Sequence, residues 1–136
     1  MKHYVVGLLF DGPFVLLLRK THPEWQAGRL NGVGGHIEDD ESADEAMERE
    51  FLEEAGIRIK KWKHFASLSC PEKYMCHFFM ANHKESHGEP CSKTEEKIEW
   101  VCLDDLMYAE VIPNLRWLVP LALDSEVAGP VEIFTS

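Results

Sequence analysis

Apolar and polar residues follow periods that change along the chain, and the changes mark the elements. Tyr4–Phe10 is a nearly unbroken apolar run, closed by Asp11-Gly12-Pro13 and followed by a second run, Phe14–Leu18. Two β-rich runs around a turn predict a hairpin, or two strands with a short connection. Thr21–Arg29 has Pro, Gly and little periodicity and reads as a loop. It leads into Leu30-Asn31-Gly32-Val33-Gly34-Gly35, whose glycines permit close backbone approach. From Ser42 to Ala55 the period is helical, with Ala43, Ala46 and Met47 on one arc and Phe51 and Ala55 bordering it. Ser42-Ala43-Asp44-Glu45 has the form of a capping box, and Gly56 stands where a left-handed residue ends a helix.

Downstream, Ile57–Trp62, His64–Cys70, Tyr74–Ala81 and Ile98–Leu103 read as strands. The polar segment Asn82–Lys97, broken by Gly88 and Pro90, reads as a long loop. Asp104-Asp105-Leu106 predicts a turn or a short helix start. Leu115, Leu118, Val119 and Ala122 recur at helical spacing and predict a second helix over Asn114–Leu123, with Pro120 a kink point. Val131–Phe134 is an edge strand or a tail. Strands around two helices place the chain in the α/β or α+β class.

At 136 residues the chain suits one domain, 1–136, long enough to bury a real core. Apolar residues make up 45% and charged residues 28%, an ordinary globular balance. No apolar run approaches the roughly 18–20 residues that span a bilayer, so no membrane partner is expected. The apolar N-terminus meets a turn and no small-residue cleavage site, and reads as a strand, not a signal peptide. A net charge of -10 argues against a nucleic-acid polymer as partner. A small nucleotide stays open, because a bound metal reverses the local sign. Cys70, Cys76, Cys91 and Cys102 form no CxxC pair, which suits reduced packing thiols and a cytoplasmic location.

The first helix carries an electrostatic problem. Glu50 and Glu54 lie about 40° apart on its wheel, with Glu53 about 60° to the other side of Glu50. Carboxylates therefore share the face that should pack inward, and an unpaired, partly buried one costs several kcal/mol, roughly. Protonation is one solution and a hard divalent cation another. A solvated acidic face is the ordinary alternative.

Spacing separates these readings. Gly35, Glu41, Arg49, Glu50, Phe51, Glu53, Glu54, Gly56 and Ile57 fill every fixed position of a pattern that resembles the Nudix box. Phe51 is aromatic where relatives more often carry Leu or Ile. The resemblance implies an α/β/α sandwich, with a mixed sheet between the box helix and a C-terminal helix. It also implies a Mg2+-dependent hydrolase, with Mn2+ the alternative metal, acting on a nucleoside diphosphate linked to a further group. The implied metal ligands are Glu50, Glu53, Glu54 and the carbonyl of Gly34, joined by Glu95 or Glu96 from the long loop. Glu53 or Glu54 would take the proton from water, and Arg49, one turn before Glu53, would orient it; a surface ion pair is the alternative. Glu41 would secure the loop. Arg19, at a strand end, would face the substrate phosphates, unless it is only a solvated edge guard. Trp25 reads as a packing residue or lid, and His36 as structural. His83, His87 and Cys91 fall at i, i+4 and i+8 as in a zinc site, but Gly88 and Pro90 break the helix this needs.

The box specifies a diphosphate, not what hangs from it. Pro113-Asn114 before an apolar helix and Pro120 resembles a segment of MutT-type enzymes in which the Asn or Asp reads a purine edge. That favours a purine nucleoside triphosphate, oxidised or not, cleaved to monophosphate and pyrophosphate. Alternatively Asn114 only caps the helix. Pro71 stands near where ADP-ribose hydrolases carry a proline, and Tyr74 near where dinucleoside-polyphosphate hydrolases carry a tyrosine. A Nudix-fold module that binds a nucleotide without cleaving it is the third class, ranked last because the box is intact. The sequence carries no signal for an oligomeric state.

Overall fold

β1 (Lys2–Asp11) is the strand on which the sheet is assembled. Val5 and Leu9 belong to one buried cluster, Leu8 and Phe10 to the other, so both of its faces need a cover. The computed structural model describes residues 1–136. β1 pairs antiparallel with β2 (Phe14–Arg19) through Leu9↔Leu16, and the turn between them completes the expected hairpin. On its other edge it runs parallel to β6 (Tyr74–Asn82), a long-range pairing that no local pattern announces.

The glycine-rich passage, to which the residue pattern assigned no element, joins the sheet. It forms β3 (Leu30–Asn31), paired to the end of β2, and β4 (Val33–His36), paired antiparallel to Tyr4–Gly7 of β1. β5 (Lys63–Cys70) and β6 make an antiparallel hairpin, with a register shift between His64 and Ala66. β7 (Ile98–Cys102) lies antiparallel on β2, and β8 (Val131–Phe134) is an edge strand parallel to β5. The order is therefore β3-β2-β1-β6-β5-β8, with β4 on β1 and β7 on β2.

One helix covers each face. α1 (Ala43–Ala55) buries Ala46, Met47, Phe51 and Ala55 against Val5, Leu9, Leu16, Leu18 and Phe79. Full burial of Phe51 and Met47 contributes about 1.5–3 kcal/mol each. α2 (Leu115–Leu123) buries Leu115, Leu118, Val119 and Ala122 over Leu8, Phe10, Val15, Leu17 and Phe78. The result is the expected α/β/α sandwich around a mixed sheet. Pro120 lies on the exposed side of α2, where water can reach the Arg116 carbonyl that its missing N–H leaves without a donor.

Ile57–Trp62 departs from expectation. The segment alternates like a strand, with Ile57 and Ile59 buried and Arg58 and Lys60 exposed, yet its backbone joins no ladder. Side-chain alternation reports which side is buried, whereas a strand also needs an available neighbour. The long loop stands as read, apart from one 3-10 turn at Glu85–His87. No helix is long and apolar enough to cross a membrane.

Candidate active site

α1 is placed by its ends. The Ser42 hydroxyl accepts the Glu45 N–H at 3.1 Å, and the Glu45 carboxylate accepts the Ser42 N–H at 2.9 Å, a complete capping box. At the other end Gly56 is left-handed (φ 75°) and donates to the Leu52 carbonyl. These stops set the rotation that buries Phe51 and thereby turns Glu50 toward β4.

Glu50 is well enclosed, its side chain 12% exposed against 57% for Glu53. It faces Gly35 so closely that a Cβ built there would stand 2.5 Å from Glu50 Oε1. Only glycine leaves room for that carboxylate beside the strand. Burial raises the Glu50 pKa above the carboxylate norm despite the Arg49 guanidinium beside it, and Glu53 and Glu54 push in the same direction.

Arg49 ties the site together. Nε and Nη2 donate to both oxygens of Glu41 at 2.6 and 2.8 Å, a bidentate fork. Nη2 also reaches the His36 carbonyl at 3.0 Å, while Nη1 reaches Glu50 at 3.0 Å and Glu53 at 3.3 Å. The Glu41 hydrogen bond is the main reason the Arg49 proton is held more tightly than usual, and it pulls the Glu41 pKa down. Glu41 Oε1 further accepts the Glu38 N–H at 3.0 Å, fastening the loop before the helix. His36 contributes a carbonyl here, and its ring packs on Tyr4 at 4.5 Å.

Glu54 accepts the Thr94 hydroxyl at 3.1 Å, and its own carbonyl accepts the Lys93 N–H, which brings the long loop onto the end of α1. Of the two loop glutamates, Glu96 is engaged elsewhere. Buried to 5% exposure, it accepts from Lys20 Nζ at 3.1 Å, the Thr21 N–H at 2.6 Å and the Thr21 hydroxyl at 3.1 Å. Burial opposes its ionisation, but the Thr21 and Lys20 hydrogen bonds outweigh burial and lower its pKa. Glu95, next to Thr94, is exposed and makes no such bond.

The residues the box implies as ligands, Glu50, Glu53, Glu54 and the Gly34 carbonyl, would offer a hard divalent cation only oxygen donors, the kind it takes. The raised pKa of the enclosed Glu50 carboxylate, caused by burial and by its acidic neighbours, fits a group that would take a cation. In this conformation no three acidic, His or Cys side chains converge on one point, since Arg49 holds Glu50 and Glu53 and Thr94 holds Glu54.

Arg19 is not brought to the carboxylates. It donates to the Gly28 carbonyl at 3.0 Å and to Glu99 at 3.3 Å, on the sheet face of Leu17 rather than of α1. The zinc pattern also fails. Both His83 ring nitrogens are taken, by Asp11 at 3.0 Å and the Gly88 carbonyl at 2.7 Å, and His87 Nδ1 accepts the Lys84 N–H. Trp25 is exposed, so it does not serve as a packing residue. Pro71 and Tyr74 sit at the β5–β6 turn.

The capping role of Asn114 is not realised. Asn114 occupies the N-cap position of α2 but is αR, and its side chain makes no capping bond. Its Oδ1 is buried with no partner. Sequence reading passed over Asn31, which lies beside this segment: the Ile112 N–H donates to the Leu30 carbonyl, and Leu30 bridges Val111. Asn31 Oδ1 accepts the Gly32 N–H and its amide donates to Gln26.

Residues 1–121 match the NUDIX domain family. The chain is 33% identical over 128 residues to the oxidized purine nucleoside triphosphate hydrolase of Mus musculus, covering 90% of this chain and 80% of the relative. It is 29% identical over 103 residues to the NAD-capped RNA hydrolase NudC of Pseudomonas syringae pv. syringae, covering 75% of this chain and 36% of that one. Among solved structures, the MutT protein from Bacillus halodurans superposes with a TM-score of 0.79 at 25% identity, covering 100% of this chain and 91% of that chain.

Proposed function

The chain belongs to the Nudix family of hydrolases, and from that premise we propose that it hydrolyses a purine nucleoside triphosphate, oxidised or not, to the monophosphate and pyrophosphate, with Mg2+ as cofactor. The hydrolytic reading is supported by the row Glu50, Glu53 and Glu54 beside the Gly34–Gly35 passage. The purine preference rests on one observation, the buried and unpartnered Oδ1 of Asn114. A buried acceptor without a donor costs about 1–3 kcal/mol, and the N–H edge of a guanine-type base supplies a donor.

Mg2+, or Mn2+, held by Glu50, Glu53, Glu54 and the Gly34 carbonyl, with Glu95 as the loop's contribution, would offset phosphate charge and acidify water. The remaining work belongs to the side chains. Arg49 holds Glu50 and Glu53 in register and keeps Glu41 on the loop. Glu53 or Glu54 accepts the proton of the attacking water, whose oxygen attacks one phosphorus of the α–β anhydride in line, so that this bond breaks and monophosphate and pyrophosphate separate. The mouse relative's name concerns an oxidised purine triphosphate, in keeping with this choice.

The test is chromatography of the products formed with Mg2+ from triphosphates, ADP-ribose and dinucleoside polyphosphates, with pyrophosphate release measured for the triphosphates, using the natural chain and Glu54→Gln. Purine triphosphates should be preferred, and Glu54→Gln should remove most turnover and weaken Mg2+ binding. Its melting temperature in EDTA should hold or rise, because Gln keeps the Thr94 contact and loses like-charge repulsion. Preferential turnover of ADP-ribose, or near-normal turnover by Glu54→Gln, overturns the reading.

A further inference from the structure

The chain has 24 acidic and 14 basic residues, yet its cations are not evenly spread. Arg58, Lys60, Lys61, Lys63 and Lys84, five of the 14, line one surface depression of about 460 Å³ together with His87, and no carboxylate lines it. Lys60, Lys61, Lys63 and Lys84 have no acidic group within 4.0 Å, and Arg58 has only Glu48, at 4.0 Å.

The fold explains why these side chains converge. Ile57 and Ile59 are buried under α1, which turns Arg58 and Lys60 outward from an extended segment that joins no ladder. Lys63 opens β5 opposite Met80 near the end of β6, so the start of one strand and the end of the other form a shared corner. The 3-10 turn after β6 then brings Lys84 and His87 to the same corner. Burial and the charges of His83 and Lys84 lower the His87 pKa, as expected where positive charge is crowded. On an acidic protein, a concave surface whose charged groups are all cationic raises the local concentration of anions.

We infer that this depression, formed by Arg58, Lys60, Lys61, Lys63 and Lys84, binds a compact polyvalent phosphate anion. It is a second site, since none of Gly34, Glu50, Glu53 and Glu54 lines it. Small volume favours a phosphate chain over an extended polymer backbone, and clustered ammonium groups match its several negative oxygens.

The probe is inorganic tripolyphosphate in EDTA, where the carboxylate row repels anions and only a basic site can hold one. Calorimetry should show binding that weakens with salt, and amide NMR shifts should centre on residues 58–63 and 80–87. The triple variant Lys60→Glu, Lys61→Glu, Lys84→Glu should lose affinity by about tenfold or more, as expected when partly screened charges are reversed. Should that variant unfold, the milder Lys→Gln triple is measured instead, with a severalfold loss expected. Absence of binding in EDTA, shifts centred on residues 34–54, or unchanged affinity in the folded variant overturns the proposal. Binding of a single-stranded oligonucleotide without binding of tripolyphosphate also overturns it, in favour of a nucleic-acid surface.

Discussion

Asn114→Ala separates function from stability more cleanly than any other single change. In the free protein the Asn114 side chain makes no capping bond, so the roughly 1 kcal/mol that a capping Asn normally contributes is not at stake. Its Oδ1 is instead a buried acceptor without a donor, a liability of about 1–3 kcal/mol that alanine removes. Against that gain stands a small void. The expected net change is zero to about 1 kcal/mol in favour of the variant, or a rise of up to about 4 °C in melting temperature for a chain of this size. With substrate the sign reverses. Loss of one or two hydrogen bonds to the base should lower kcat/KM for the preferred purine triphosphate by about tenfold to a hundredfold, mainly through KM, and leave pyrimidine triphosphates nearly unchanged. The assay is steady-state pyrophosphate release from dGTP, its oxidised form, dCTP and dTTP, read beside thermal melts without nucleotide. Equal losses on purines and pyrimidines, together with a lowered melting temperature, would refute the reasoning and return Asn114 to a structural role.

Three further outcomes are expected. Phe51→Ala, at a position with no exposure beneath α1, should cost about 3–5 kcal/mol in urea unfolding through lost burial and a cavity. Glu95→Gln should weaken Mg2+ binding with an unchanged melt, whereas Glu96→Ala should lower stability by about 3–5 kcal/mol by stranding the part-buried Lys20, with Mg2+ titrations on both variants distinguishing the roles. Burial disfavours protonated His83, but the Asp11 carboxylate and the Gly88 carbonyl outweigh it and raise the pKa. His83 therefore stabilises the fold fully below about pH 6.5, and that contribution is lost as pH rises through the folded value. The urea midpoint should fall from pH 6 to pH 8 in the natural chain and change less in His83→Gln.

Local rules account for what the sequence determined on its own. The capping box at Ser42, the stop at Gly56 and the inward arc of α1 are written in neighbouring residues, so the helix and its carboxylate row were legible before any fold was known. The box spacing made the family readable for the same reason, since its fixed positions lie on one helix and in the short stretches that flank it. Only the tertiary structure decided the rest. Leu30–His36 shows no strand pattern until β1 and β2 offer it partners, and Ile57–Trp62 looks like a strand although no neighbour is free to pair with it. Arg19 and Glu96 are similarly ambiguous in one dimension. Glu99 claims the first, and Lys20 with Thr21 claims the second, across 80, 76 and 75 residues of chain. The missing partner of Asn114 Oδ1 is equally invisible in sequence. A buried group's hydrogen bonds depend on which distant segments pack around it, and a linear pattern carries no record of those segments.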